Sequence, residues 1–359
     1  MGPDGRDVAA RTVLLAREAR PAGLPGVAVD GVVVRTPDTL LDDPAPPGDV
    51  TIVGGGATGV GLAAFLAALG ARVVLVTRSD RLLPRLDADI GAAVTSALAA
   101  RGVAVHHRAR LREVAVTASG FTAVLDDRAR AARDRIAGTR LVVATGWRPA
   151  TADLDLAATK AVLDKRGHVQ VDAVMATAEP GLHAVGASVP THDGEGMAAA
   201  EVATVLAHLR GEPTRPLRAL WSPRRVPGPV PAFGVGLTAA DAAAMGHLVG
   251  TGWDAAGPQD VVKVIVDGES GAMLGVQAAG RGAPALMPAA VAAMQDGEPA
   301  ADGDTPLRRA WALAQDPGRR GGNLRENDRP QGFRSDRIND WTSGRNSDRT
   351  EDRTNGGQS

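Results

Sequence analysis

The pattern of apolar positions predicts a strand, a turn, a helix and a second strand early in the chain. Residues 50–53 form a β-branched run that ends in glycines, and residues 60–69 continue as an apolar, alanine-rich helical stretch. A second β-branched run follows Gly70 at 72–76. The four elements fall within about thirty residues, as in a βαβ unit. We therefore predict a Rossmann-like α/β domain over 50–125.

The rest of the chain divides into segments of different pattern. Residues 1–49 hold short apolar runs and a Pro/Gly-rich linker, too few residues to bury a core alone. Residues 126–216 contain short apolar strands and one helix, and 217–316 predict a separate α+β domain. Residues 317–359 lose apolar periodicity and cannot offset their ordering entropy by burial, so we predict a disordered tail. The predicted strands outside the βαβ unit lie at 13–16, 32–34, 103–105, 113–117, 121–125, 140–144, 181–186, 261–266 and 273–278, and the further helices at 89–101, 197–209 and 284–294.

The turn after the first strand carries glycines with a recognised spacing. Gly54, Gly56 and Gly59 match G-x-G-x-x-G. The first glycine permits the tight turn, the second lets a pyrophosphate approach the backbone, and the third lets the helix pack close to the strand. The free N–H groups at the start of the helix, at Ala57 and Thr58, would then meet the phosphate charge. A tight turn without a ligand remains the alternative.

The end of the second strand bears on the choice of nucleotide. An acidic residue there would bind the ribose of NAD, whereas arginines suit the 2′-phosphate of NADP. The chain has Thr77 and Arg78 at this point, with Arg81 and Arg85 shortly after, and Asp80 comes too late. We predict NADP(H) over NAD(H). A solvated arginine loop is the alternative.

Composition excludes several function classes. The net charge is −1, which gives no field for nucleic acid or membrane, and no apolar run is long enough to span a bilayer. With no signal peptide in the sequence, we expect a cytoplasmic protein. The absence of cysteine excludes thiolate metal sites and thiol redox chemistry by these 359 residues.

Other candidate residues do not form a catalytic or metal site in the sequence. His106 and His107 are adjacent in a predicted extended segment and would face opposite ways, so they predict no shared metal ion. No Ser/His/Asp arrangement is recognisable, and we assign no catalytic residue. We interpret His183 and Trp147 as packed core residues, with contact between Trp147 and a cleft ligand as the alternative for the tryptophan.

Several ordered motifs together resemble a known family. These are the glycine motif and the segments 80–85, 143–149, 180–186, 233–238 and 271–275. They resemble the flavin-dependent pyridine nucleotide-disulfide oxidoreductases, which include dihydrolipoamide dehydrogenase, glutathione reductase and mercuric reductase. The resemblance implies an FAD domain, here 1–49 and 126–216, split by an inserted NAD(P) domain, and a C-terminal interface domain that forms a homodimer. It also implies that NAD(P)H reduces a bound FAD, with Ala144, Thr145, Gly146 and Gly186 at the cofactor.

The departures from the family pattern concern the flavin and dithiol chemistry. The family's first glycine motif and its redox cysteine pair have no counterpart here, and its first Ala-Thr-Gly aligns with 16–18, which has no glycine. The family's Gly-Asp aligns with Gly186 and Ala187, and alanine cannot accept the flavin hydrogen bond. The family's catalytic His and its Glu partner align with Asp304 and Arg309. A family Glu near the nicotinamide aligns with Gly61.

Two functions therefore remain open from the sequence. The first is an oxidoreductase that uses NAD(P)H with FAD for hydride transfer to an unknown acceptor, without a redox dithiol; FAD would bind weakly or with help from a second chain. The second is a non-catalytic, NAD(P)-binding and dimerising remnant of a flavoprotein reductase. Flavin colour in the purified protein would distinguish them.

Overall fold

The computed structural model describes residues 9–42, 48–190, 196–214, 217, 222–257, 259–301 and 303–316. The predicted disordered tail, 317–359, lies outside the described residues. No helix in these ranges is both long and apolar enough to cross a membrane.

Strands and helices alternate in the first part of the chain, and strands dominate the remainder. Along the chain they are β1 (Val13–Leu15), β2 (Ala19–Pro21), β3 (Val34–Arg35), α1 (Pro37–Leu40), β4 (Asp49–Val53), α2 (Ala57–Ala68), β5 (Arg72–Val76), α3 (Ala88–Ala99), β6 (Ala104–His106), β7 (Ala109–Val116), β8 (Phe121–Asp127), β9 (Ala132–Gly138), β10 (Arg140–Val143), β11 (Trp147–Pro149), β12 (Leu182–Ala184), α4 (Met197–Leu209), β13 (Arg224–Val226), β14 (Ala232–Gly236), α5 (Ala239–Ala244), β15 (Val249–Gly257), β16 (Asp260–Asp267), β17 (Met273–Ala279), α6 (Ala283–Asp296) and α7 (Pro306–Gln315).

A five-stranded parallel sheet forms the centre of the Rossmann-like domain, in the order β3-β10-β4-β5-β6. Ile52, Leu75 and Leu141 are fully buried in it, as expected for parallel strands that are covered on both faces. Helices α2 and α3 connect β4 to β5 and β5 to β6. The predicted Rossmann-like α/β fold is confirmed.

The parallel sheet also takes strands from outside the predicted span 50–125. Strand β10 pairs with β4 along its whole length, and β3 pairs on the other side of β10. The predicted boundary at residue 125 falls inside β8, which pairs with both β7 and β9 in a three-stranded antiparallel sheet. An apolar run predicts a buried strand but not the strand it pairs with. For this reason the sequence pattern assigned β10 to the following segment.

Two small sheets lie outside the parallel sheet and join the segments 1–49 and 126–216. Strand β1 pairs in parallel with β12, and β2 pairs antiparallel with β11. The Val13 N–H and the Leu15 carbonyl bond to the chain around β12. The Leu14 backbone groups therefore face the other edge, where no strand in the described ranges pairs.

The C-terminal residues form a five-stranded antiparallel sheet in the order β13-β14-β17-β16-β15. Helices α6 and α7 complete its core around the buried side chains of Phe233, Val264 and Leu307. Helix α7 begins after Thr305, whose hydroxyl accepts the Arg308 N–H at 3.2 Å and so caps the helix. The predicted α+β arrangement of this part of the chain is confirmed.

Candidate functional site

A cleft of about 900 Å³ opens at the carboxyl ends of β4, β5 and β10. This is the edge of a parallel α/β sheet at which ligands bind. All the predicted cofactor-binding residues except Gly59 line the cleft: Gly54, Gly56, Ala57, Thr58, Thr77, Arg78, Arg85, Ala144, Thr145, Gly146 and Gly186. The fold thus brings residues from four separate stretches of the sequence to one site.

The structure gives a different account of why each of the three motif positions is a glycine. Gly54 has a φ of +137°, and a Cβ there would overlap with the carbonyl oxygen of Ala144. At Gly59 a Cβ would overlap with the Gly54 carbonyl oxygen, so this glycine lets α2 pack close to β4. Gly56 is the N-cap of α2 with a φ of −81°, and a Cβ there would meet nothing within 4 Å. Packing within the chain therefore explains Gly54 and Gly59 but not Gly56.

The loop after β5 places two of its arginines in the cleft. Arg78 and Arg85 are exposed residues of the lining. Arg81 is not among the lining residues, and its guanidinium donates to the Pro84 carbonyl at 3.2 Å, within its own loop. Thr77 is buried, and its side chain lies against Gly55. Thr77 therefore shapes the turn, while Arg78 and Arg85 place positive charge at the end of β5 in the cleft.

Trp147 does not lie in the core, contrary to the prediction from the sequence. It is 40% exposed at the side of the cleft, and its indole N–H donates to the Thr58 hydroxyl at 3.4 Å. It follows Gly146, whose φ of +125° turns the chain at the end of β10. The left-handed turn carries the chain away from the sheet, so the tryptophan leaves the core. His183, by contrast, is buried as predicted.

The wall around Gly186 contains an acidic residue that the sequence motifs did not indicate. Glu201, on α4, is fully buried, and its carboxylate accepts the Gly186 N–H at 2.6 Å. Ala187 and the first residues of α4, Met197 and Ala198, also line the cleft. The N-terminus of α4 therefore faces the same space as that of α2. Glu201 belongs to none of the motifs found in the sequence, so only the fold shows that it lies at the cleft.

A second missed group is a histidine–aspartate pair on the cleft wall. The His168 Nδ1 lies 3.0 Å from an Asp164 carboxylate oxygen, and both residues line the cleft. Burial raises the pKa of Asp164, but hydrogen bonds from His168 and from the Arg166 N–H outweigh this effect and lower the pKa to about 2. Asp164 is therefore an anion at neutral pH.

His106, the last residue of β6, and His107, which follows it, have different surroundings. The His106 Nδ1 lies 2.8 Å from an Asp127 carboxylate oxygen, whereas the Nδ1 of His107 is buried without a hydrogen-bond partner. Burial lowers the pKa of His107. No group of three potential metal ligands exists among the described residues.

The residues at the remaining divergent family positions lie outside the cleft. Arg309 forms ion pairs with Asp254 at 3.0 Å and with Asp304 at 2.9 Å. Gly61 is buried against Pro227, whose carbonyl oxygen would lie 3.0 Å from an added Cβ. The pair at 304 and 309 is thus an ion pair on the C-terminal domain. Close packing against Pro227 explains why position 61 is a glycine.

Comparison with known proteins identifies the family. A family model described as pyridine nucleotide-disulphide oxidoreductase matches residues 2–207. The chain belongs to this family, and the resemblance drawn from the sequence motifs is confirmed.

Curated relatives agree with this membership, and solved structures share the fold. A dihydrolipoyl dehydrogenase from Chlorobaculum tepidum is 31% identical over 301 residues, which are 79% of this chain and 63% of that protein. One from Thermus scotoductus is 28% identical, over 83% of this chain and 67% of its own length. Among solved structures, LpdA from Mycobacterium tuberculosis matches with a TM-score of 0.74 at 23% identity, covering 85% of this chain and 69% of that one. The flavoprotein disulfide reductase RclA from Escherichia coli gives 0.73 at 22% identity, covering 84% and 73%. The chain spans less than two thirds of the Chlorobaculum relative, and the structural matches establish the fold.

Proposed function

We propose that the chain binds a nicotinamide dinucleotide in the cleft and is an NAD(P)H-dependent oxidoreductase that works with FAD. The observation that carries the proposal is the open space at Gly56. This glycine caps a helix of 12 residues that begins at the cleft. Its backbone is not strained and its missing side chain leaves no packed neighbour, so space for a ligand accounts for the glycine. Family membership supports the same function.

The charge of the cleft favours a phosphorylated nucleotide. The N-terminus of α2 offers free N–H groups and a partial positive charge to the pyrophosphate. Arg78 and Arg85 lie in the lining close to the end of β5, where the ribose of a dinucleotide is bound in this type of fold. We therefore propose NADP(H) rather than NAD(H).

Residues of the predicted FAD-type segment line the same cleft as the glycine turn. Its lining includes the turn Ala144–Thr145–Gly146, the Gly186 backbone and the N-terminus of α4. Bound FAD would accept a hydride from NAD(P)H and pass the electrons to an acceptor. Ala187 offers no hydrogen bond from its side chain, so at this position only backbone groups would bind the flavin.

Substitution of Gly56 tests nucleotide binding. Gly56→Val places a branched side chain in the path of the pyrophosphate, and we expect NADPH affinity to fall by at least about a hundredfold with little change in thermal stability. Gly282→Val is the matched control, since Gly282 is also a helix N-cap with a negative φ and no atom within 4 Å of an added Cβ. Isothermal titration should show normal binding by the control. Equal affinity of both variants would mean that Gly56 serves only the turn.

A second function is favoured by strand β1, which pairs on only one edge among the described residues. Val13 and Leu14 are 45% and 40% exposed, although parallel strands are normally covered on both faces. A chain with this sheet would bind the dinucleotide but hold no flavin, and would act as a non-catalytic, dimerising protein. Retention of FAD by the purified chain would exclude this second function.

A further inference from the structure

A buried ion cluster connects the nucleotide domain to the C-terminal sheet. Lys263, on β16, is 1% exposed, and its Nζ lies 2.8 Å from a carboxylate oxygen of Asp87 and 3.0 Å from one of Asp89. Both aspartates belong to the start of α3 and are themselves buried. The lysine ammonium also lies 4.6 Å from the centre of the Trp253 ring.

Asp87 is the centre of this connection. Its second carboxylate oxygen accepts the Ala239 N–H at 2.9 Å, at the start of α5. Its own backbone N–H donates to the side-chain oxygen of Gln277 at 2.7 Å, and Gln277 is fully buried on β17. Burial alone would raise the pKa of Asp87, but Lys263 and the Ala239 N–H hold it below the usual value. Asp87 is thus an ionised residue bound to three separate elements of the C-terminal domain.

The residues just before Asp87 line the nucleotide cleft. They are Leu83, Pro84, Arg85 and Leu86. At one end of this segment the Leu83 N–H donates to the Gly55 carbonyl at 2.8 Å, inside the glycine turn. The other end is Asp87. The segment 83–86 is therefore fixed on one side by the nucleotide motif and on the other by the C-terminal sheet.

Stability does not account for such a cluster. Removing two carboxylates and an ammonium from water carries a large desolvation cost, and apolar replacements of similar volume are often equally stable. The cluster does, however, specify one position for the segment that ends at Asp87. Because Arg85 lies two residues before Asp87, this position also sets where its backbone, and so the base of its side chain, lies at the cleft.

We propose that Lys263 is a positioning residue that acts through Asp87 to hold segment 83–86, and Arg85 with it, in place for the nucleotide's 2′-phosphate. The C-terminal domain thereby sets the preference between phosphorylated and unphosphorylated nucleotide. The proposal rests on the proposed binding of NADP(H) in the cleft.

Two variants remove the connection in different ways. Lys263→Met keeps the length of the side chain and removes the charge, and Gln277→Leu removes the acceptor for the Asp87 N–H without leaving a buried charge unpaired. The second variant keeps the test decisive if the first does not fold. Leu307→Ala is the control, because it weakens the core of the C-terminal domain away from Asp87.

Hydrogen exchange of the full chain without nucleotide is the first measurement. We expect amides in 83–87 to exchange about tenfold faster in both variants than in the control. We also expect the ratio of NADH to NADPH dissociation constants to fall about fivefold in both variants and to stay unchanged in the control. A merely structural lysine would alter unfolding without moving this ratio.

Unchanged exchange in 83–87 would overturn the inference, and so would an unchanged ratio in a chain that binds both nucleotides. If the unsubstituted chain bound neither nucleotide, the proposed function would fail, and the exchange data alone would decide whether Lys263 holds the segment.

Discussion

At the scale of single residues, the glycine motif separates packing from ligand binding. Gly54 and Gly59 are glycines because a Cβ would overlap with a backbone carbonyl, whereas Gly56 faces open space. The spacing of the motif predicted all three positions. It could not show which of them the chain itself requires, because that depends on the distance between β4, α2 and β10.

The proposed contact between Arg85 and the 2′-phosphate of NADPH can be tested by substitution. We expect Arg85→Ala to weaken NADPH binding by about tenfold, the effect of one hydrogen bond to a charged group, while NADH affinity stays within about twofold. Fluorescence titration with both nucleotides measures the effect. Arg110→Ala is the control, since Arg110 is an exposed arginine on β7 outside the cleft. An equal loss for both nucleotides would show that Arg85 does not recognise the 2′-phosphate.

At the scale of elements, the sequence predicted most strands and helices but not their partners. The runs at 261–266 and 273–278 became β16 and β17, and 284–294 became part of α6. Strand β10 is as apolar as predicted. Its place between β3 and β4, however, depends on contacts between segments that are far apart in the sequence. Glu201 and the Asp164–His168 pair were missed for the same reason. Each becomes part of the site only when distant segments meet in the cleft.

The close packing of α7 on β15 can be tested by substitution of Gly252. At Gly252, on β15, a Cβ would overlap with the Ala310 carbonyl oxygen of α7, so Gly252→Ala must push the helix away. We expect a loss of about 1–3 kcal/mol in the free energy of unfolding. Gly257→Ala on the same strand is the control, because nothing lies within 4 Å of its added Cβ. Urea unfolding of the two variants compares them, and equal stability would contradict the close contact.

At the scale of the whole molecule, the two domains share one apolar core. The cluster that contains Ile90 and Leu98 of α3 also contains Trp253 and Val261 of the C-terminal sheet. This shared core and the Lys263 cluster join the nucleotide cleft to the C-terminal domain. We expect changes in the C-terminal sheet to affect the cleft through these packed side chains.

We propose that the C-terminal domain also carries the interface of the homodimer that the family resemblance implies. It exposes large apolar side chains, among them Met245 at 65% and Leu248 at 44%, and exposed apolar surface is typical of interaction sites. We expect light scattering to give twice the mass of one chain. A monomer at all accessible concentrations would contradict the dimer.

An absorbance spectrum of the purified chain, recorded first with added FAD and then with NADPH, tests the proposed oxidoreductase function. We expect a flavin band that stays with the protein after gel filtration and is bleached by NADPH. A chain that binds NADPH but shows no flavin band at any FAD concentration would contradict the oxidoreductase function and support a dinucleotide-binding protein without flavin chemistry.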